Sequence, residues 1–81
     1  MLIDREFGDR RGERADLSNL GNAYENLGET HRAIEFYEQA LLIDRDLGDR
    51  RGEGADLGNL GLAYATLGET RHAIQFYIDN V

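Results

Sequence analysis

The chain repeats itself, and this limits what it can fold into more than any other feature. Asp16-Leu17-Ser18-Asn19-Leu20-Gly21-Asn22-Ala23-Tyr24 returns as Asp56-Leu57-Gly58-Asn59-Leu60-Gly61-Leu62-Ala63-Tyr64. Gly28-Glu29-Thr30 returns as Gly68-Glu69-Thr70, and the run at 8–13 returns at 48–53. The offset is always 40, and residues 1–40 laid over 41–80 are identical at roughly two-thirds of positions without a gap. The 81 residues are therefore two copies of one unit. Such periods mark stacked architectures, in which a unit buries its apolar face only against its neighbours.

Within each unit the apolar spacing is helical. Leu17, Leu20, Gly21, Tyr24 and Leu27 fall at i, i+3, i+4, i+7 and i+10, one stripe of a 3.6-residue helix. Ser18, Asn19, Asn22, Glu25 and Asn26 take the other side. A second helix carries Ala33, Ile34, Phe36, Tyr37, Ala40, Leu41, Ile43 and Leu47 on a wider apolar face. Gly28 and Gly48 supply the stops, and Asp49 is placed to cap the helix that follows. The spacing predicts helices near 10–27, 30–47, 50–67 and 70–80, with short links that make neighbours antiparallel. Period-2 alternation is absent, so no strand competes.

The chain resembles the tetratricopeptide repeat family at the residues that define it. The first helix of that family's unit carries a large residue, then Leu-Gly, then Tyr; here these match Leu17, Leu20-Gly21 and Tyr24, and again Leu57, Leu60-Gly61 and Tyr64. The small, aromatic and small positions of the second helix match Ala33, Tyr37 and Ala40, then Ala73 and Tyr77, with Asn80 replacing the last alanine. The family's usual period is 34 with a proline near the end of the second helix; this chain has a period of 40 and no proline. It is similar in that respect to the longer-helix subclass found in kinesin light chain and spindle-orientation scaffolds. The resemblance implies an all-α fold of antiparallel helix-turn-helix repeats, stacked as an α-solenoid with right-handed superhelical twist. It also implies a scaffold that holds a protein or peptide partner, with no enzymatic activity.

Charge and composition narrow the partners. Sixteen acidic residues stand against 9 basic ones for a net charge of −7, and the arginines sit beside acids, as in Asp9-Arg10-Arg11-Gly12-Glu13. Phosphate backbones need clustered cations, so nucleic acid is excluded as an expected partner. No apolar run reaches the ~20 residues of a membrane span. Neither a signal sequence nor a cysteine is present, and the chain reads as a soluble, cytoplasmic protein.

Catalytic and metal-binding patterns fail on inspection. His31 and His72 open the second helix of each copy, one register apart, with Arg32 and Arg71 in the complementary places. Neither has a nucleophile at a useful spacing, so both read as solvated surface. Asp44, Asp46, Asp49 and Glu53 suggest a calcium loop, but the glycine and the twelfth-position acid are misplaced. Helix-end charge and turn chemistry account for these acids. With no lysine, there is no phosphate loop either. No cofactor is expected.

The candidate binding surface is the polar side of each first helix, which lines the concave groove in the family. Here it comprises Asn19, Asn22, Glu25 and Asn26, then Asn59, Leu62 and Thr66. Asparagine both donates and accepts, which suits the backbone of an extended or helical peptide. Chaperone-binding members grip a terminal carboxylate with lysines and asparagines. Asn22 matches one such asparagine, but Leu62 replaces it in copy two and Ser18 or Gly58 takes the lysine place, so that mode is not expected.

The reading of 1–81 as one repeat domain divides it into a half helix at 1–8, repeat one at 9–48 and a truncated repeat two at 49–81. Leu2, Ile3 and Phe7 at one end and Ile74, Tyr77 and Ile78 at the other become candidates for self-association. Copies could stack head-to-tail, or exchange halves if 48–52 straightened into a continuous helix.

Overall fold

The structure, a computed structural model, describes residues 9–79 apart from the side chains of Thr70, Ala73, Phe76 and Tyr77. Four helices run α1 (Asp9–Asn26), α2 (Thr30–Leu47), α3 (Arg50–Thr66) and α4 (Thr70–Asp79), with no strand among the described residues. Each packs on its neighbour in sequence, α1 on α2, α2 on α3 and α3 on α4. The expected half helix at 1–8, with Leu2, Ile3 and Phe7, lies outside the described residues, as does the Tyr77 side chain.

The turns follow from glycine. Gly28, Gly48 and Gly68 have φ of 82°, 69° and 81°, a left-handed backbone that side chains rarely tolerate. Gly28 N donates to Glu25 O at 2.9 Å and Glu29 N to Tyr24 O at 2.8 Å, and the same pair of bonds recurs at 48–49 and 68–69. These bonds satisfy carbonyls that a helix end would otherwise leave open. Asp49 then starts α3, its Oδ1 accepting from Gly52 N at 2.9 Å.

Ala33, Ile34, Tyr37 and Leu41 of α2 form one buried core with Leu57, Leu60 and Ala63 of α3. Tyr24, Tyr64 and Leu67 pack at its margin, and Tyr24 also stacks on Phe36 with centroids 5.4 Å apart. The stripe expected to be buried on α1 is only partly so. Leu20 is 42% exposed and Leu27 71%, whereas Leu60, the copy of Leu20, is fully buried. The residues are the same; their neighbours differ. α3 is packed between α2 and α4, while α1 has α2 as its one extensive neighbour among the described helices. Burial here comes from stacking, as the repeat pattern requires.

Charge as well as apolar surface joins the two copies. Asp44 on α2 and Asp56 on α3 are both fully buried. Arg14 on α1 reaches between them: its Nε donates to Asp44 Oδ1 at 2.7 Å and its Nη2 lies 3.7 Å from Asp56 Oδ2. Ser18 Oγ donates to Asp56 Oδ1 at 2.9 Å. The Oδ2 atoms of both aspartates are buried with no donor among the described residues. Two carboxylates cannot both ionise cheaply beside one guanidinium. Burial, and next the contact with Asp44, push Asp56 up to about 7. A proton kept on Asp56 gives the pair a donor. This corrects the reading of Asp44 as a helix-end charge. Asp49 does cap its helix, and Glu53 and Asp46 pair with Arg45 and Arg10 at 2.9 and 3.1 Å, but Asp44 lies in the joint between repeats.

Candidate functional site

Residues three and four apart on a helix share a face, and this spacing builds both walls of a depression between α1 and α3. Asn22, Glu25 and Asn26 form the α1 wall, and Asn59, Leu62, Ala63 and Thr66 the α3 wall. Tyr37, from α2, forms the floor, and the volume is about 500 Å³. That is the size range of ligand-binding clefts.

The floor is fixed by a close approach. Tyr37 is 3% exposed, and its ring lies against Gly21, where an added Cβ would come within 2.6 Å of Cε1. Its hydroxyl donates to Asn22 Oδ1 at 2.6 Å. Burial, followed by the charges of Glu25 and Asp56, raises the Tyr37 phenol above its ordinary value, which keeps this donor protonated. With its oxygen engaged from below, Asn22 has its amide NH₂ left to donate. Glu25 Oε1 is covered and has no hydrogen-bond partner among the described residues. On the opposite wall Leu62 is 61% exposed, and Thr66 Oγ1 turns back to Leu62 O at 3.0 Å.

Of the surface residues chosen from sequence, the structure brings Asn22, Glu25, Asn26, Asn59, Leu62 and Thr66 around this depression. Asn19, a turn earlier on α1, is exposed but does not line it. Sequence reasoning missed Tyr37 and Ala63 as lining residues, having placed Tyr37 only on the apolar face of the second helix. The clue was available, since the Leu-Gly step opposite an aromatic implies that the ring crosses the glycine. Ile74 and Ile78 are 52% and 58% exposed on α4. His31 is exposed, and His72 Nδ1 lies 2.7 Å from Glu69 Oε1 with its ring tilted on Tyr64. Among the described residues no group of His, Asp and Glu is arranged to hold a metal, and no helix is long and apolar enough to cross a membrane.

Helix pairs stacked in sequence order, with a cleft walled by the first helix of each pair, define a helical repeat protein of the scaffold type. The family profile of the tetratricopeptide repeat matches residues 13–79, and the chain belongs to that family. A search of curated proteins finds no significant match.

Proposed function

We propose that this chain is a protein-interaction module whose depression between α1 and α3 receives a peptide or helix from another protein. The observation that carries the reading is the convergence of polar side chains and an exposed leucine on one concave surface. Asn22 offers a donor, Glu25 an acceptor and Leu62 an apolar contact, around a floor fixed by Tyr37. Clefts that combine apolar walls with a few placed polar groups are the usual form of a binding site. The role is non-catalytic, in a reducing cytoplasmic setting, and not directed at nucleic acid. The period of 40 and the 18-residue α1 and α2 favour the long-helix subclass that includes kinesin light chain.

Selection of peptides from a random display library tests this. Selected peptides should lose at least about tenfold in affinity, ~1.4 kcal/mol, on Leu62→Arg and Asn59→Ala. They should be indifferent to Gln39→Arg on the outer side of α2. Peptides that ignore both groove changes would refute the reading.

Self-assembly is a second reading, favoured by exposed apolar side chains on both outer helices: Leu20 and Leu27 on α1, Ile74 and Ile78 on α4. Stacking α4 of one copy on α1 of the next would cover them and continue the repeat, a heterologous contact. Sedimentation at millimolar protein should then show species larger than a monomer, reduced by Ile74→Glu with Ile78→Glu. Exchange of halves about 48–52 would survive those changes. A strict monomer would exclude both.

A further inference from the structure

Both repeats contribute to the depression, two positions line it in both copies, and the chemistry there differs. Asn22 on α1 corresponds to Leu62 on α3, Glu25 to Ala65, and Asn26 to Thr66. The copies also differ elsewhere, at Arg14 and Ser18 and along the second helix, but these three differences fall at the cleft. They make the α1 wall polar and anionic and put an exposed leucine on the α3 wall, between Asn59 and Thr66.

Glu25 is the only charged residue among the described residues that line the depression. Its Oε1 is covered and meets no donor among the described residues. That oxygen is out of reach where it stands, but the side chain as a whole is only half-buried and lines the depression, so a partner can meet the carboxylate there, and a charged donor makes the stronger bond. The adjacent Asn22 already accepts from Tyr37, so it adds a donor and not a second acceptor. No Arg lines the depression to compete for Glu25, and the chain carries a net charge of −7. A carboxylate ligand, the partner that basic clefts choose, would meet repulsion here.

We propose that the partner of this groove is a cationic segment, with an arginine or lysine bonded to Glu25 on the α1 wall and an apolar residue packed on Leu62 and Ala63 on the α3 wall. This rests on the groove being the binding surface. Glu25 selects for positive charge, and the asymmetry between repeats sets the direction in which the segment lies. The partner's backbone carbonyls have the NH₂ of Asn22 as a donor.

The test uses three capped pentapeptides, acetyl-Ala-Leu-X-Leu-Ala-amide with X as Arg, Gln or Glu, titrated into isotope-labelled protein and followed by amide chemical shifts. The arginine peptide should shift Asn22, Glu25, Asn59 and Leu62, and bind about tenfold more tightly than the glutamate peptide. Glu25→Gln should erase most of that preference and Glu25→Lys should reverse it, while Glu35→Gln on α2 leaves it intact. Circular dichroism confirms that each variant stays helical. Equal groove binding by all three peptides would overturn the cationic assignment and leave the groove standing. So would a preference that survives Glu25→Gln, since net charge would then be its source. If none shifts the groove amides at millimolar concentration, the groove reading fails as well.

Discussion

Tyr37 lies across Gly21 so closely that a methyl group on the glycine would sit 2.6 Å from the ring. Tyr37 is at once a core residue, the floor of the groove and the donor that orients Asn22. Gly21→Ala must displace this ring, and overpacking of this kind costs about 1–3 kcal/mol. Gly58 is also helical, but an added Cβ there meets nothing within 4 Å. Gly58→Ala should therefore stabilise by about 0.4–1 kcal/mol. Urea titration of both variants checks the pair, and a shared direction of change would contradict the packing described.

Leu20 and Leu60 occupy the same place in the repeat, one 42% exposed and the other fully buried. Leu60→Ala should destabilise by about 2–5 kcal/mol, and Leu20→Ala by less than about 1 kcal/mol. The difference between two identical sequence positions measures how much stability stacking adds. Equal losses in thermal melts would mean that α1 is covered as well as α3.

Asp56 links stability to pH. Its folded value of about 7 lies above the ordinary 3.8, so the folded state holds the proton more tightly than the unfolded chain. The stabilisation from this group is complete below 3.8 and is lost as the pH rises through about 7. Asp56→Asn keeps a donor toward Asp44 without titrating. Melting curves between pH 4 and 8 should fall with rising pH for the natural chain and fall less for the variant. Parallel curves would show that the buried pair holds no proton.

Much of the fold was legible because each helix carries its own stop. The expected spans 10–27, 30–47 and 50–67 and the start of 70–80 differ from the observed helices by one residue at most, residue 80 lying outside the described residues. The three glycines that set those boundaries act locally, through positive φ. Burial depends on neighbours, and so the α1 stripe was overrated. Leu20 and Leu27 have the right spacing for a core face but little to pack against among the described helices. Asp44 was misread because its charge suggested a helix end. Its place four residues after Ala40, on the Ala33, Tyr37 and Ala40 stripe, indicated the interior. Arg14 and Ser18, which complete that joint, are two of the positions where the copies differ: Gly54 and Gly58 replace them. Differences between copies also mark the groove, at Asn22 and Leu62 and at Glu25 and Ala65.

The claim on which the functional account turns is that partners bind between α1 and α3. A library-selected peptide carrying a nitroxide spin label tests it most directly, through broadening of nearby amide signals in the labelled protein. The account predicts broadening at Asn22, Asn26, Asn59 and Thr66, with the amides of Glu35, Gln39 and Leu42 on the outer side of α2 left sharp. Broadening centred on Glu35, Gln39 and Leu42 instead would contradict it.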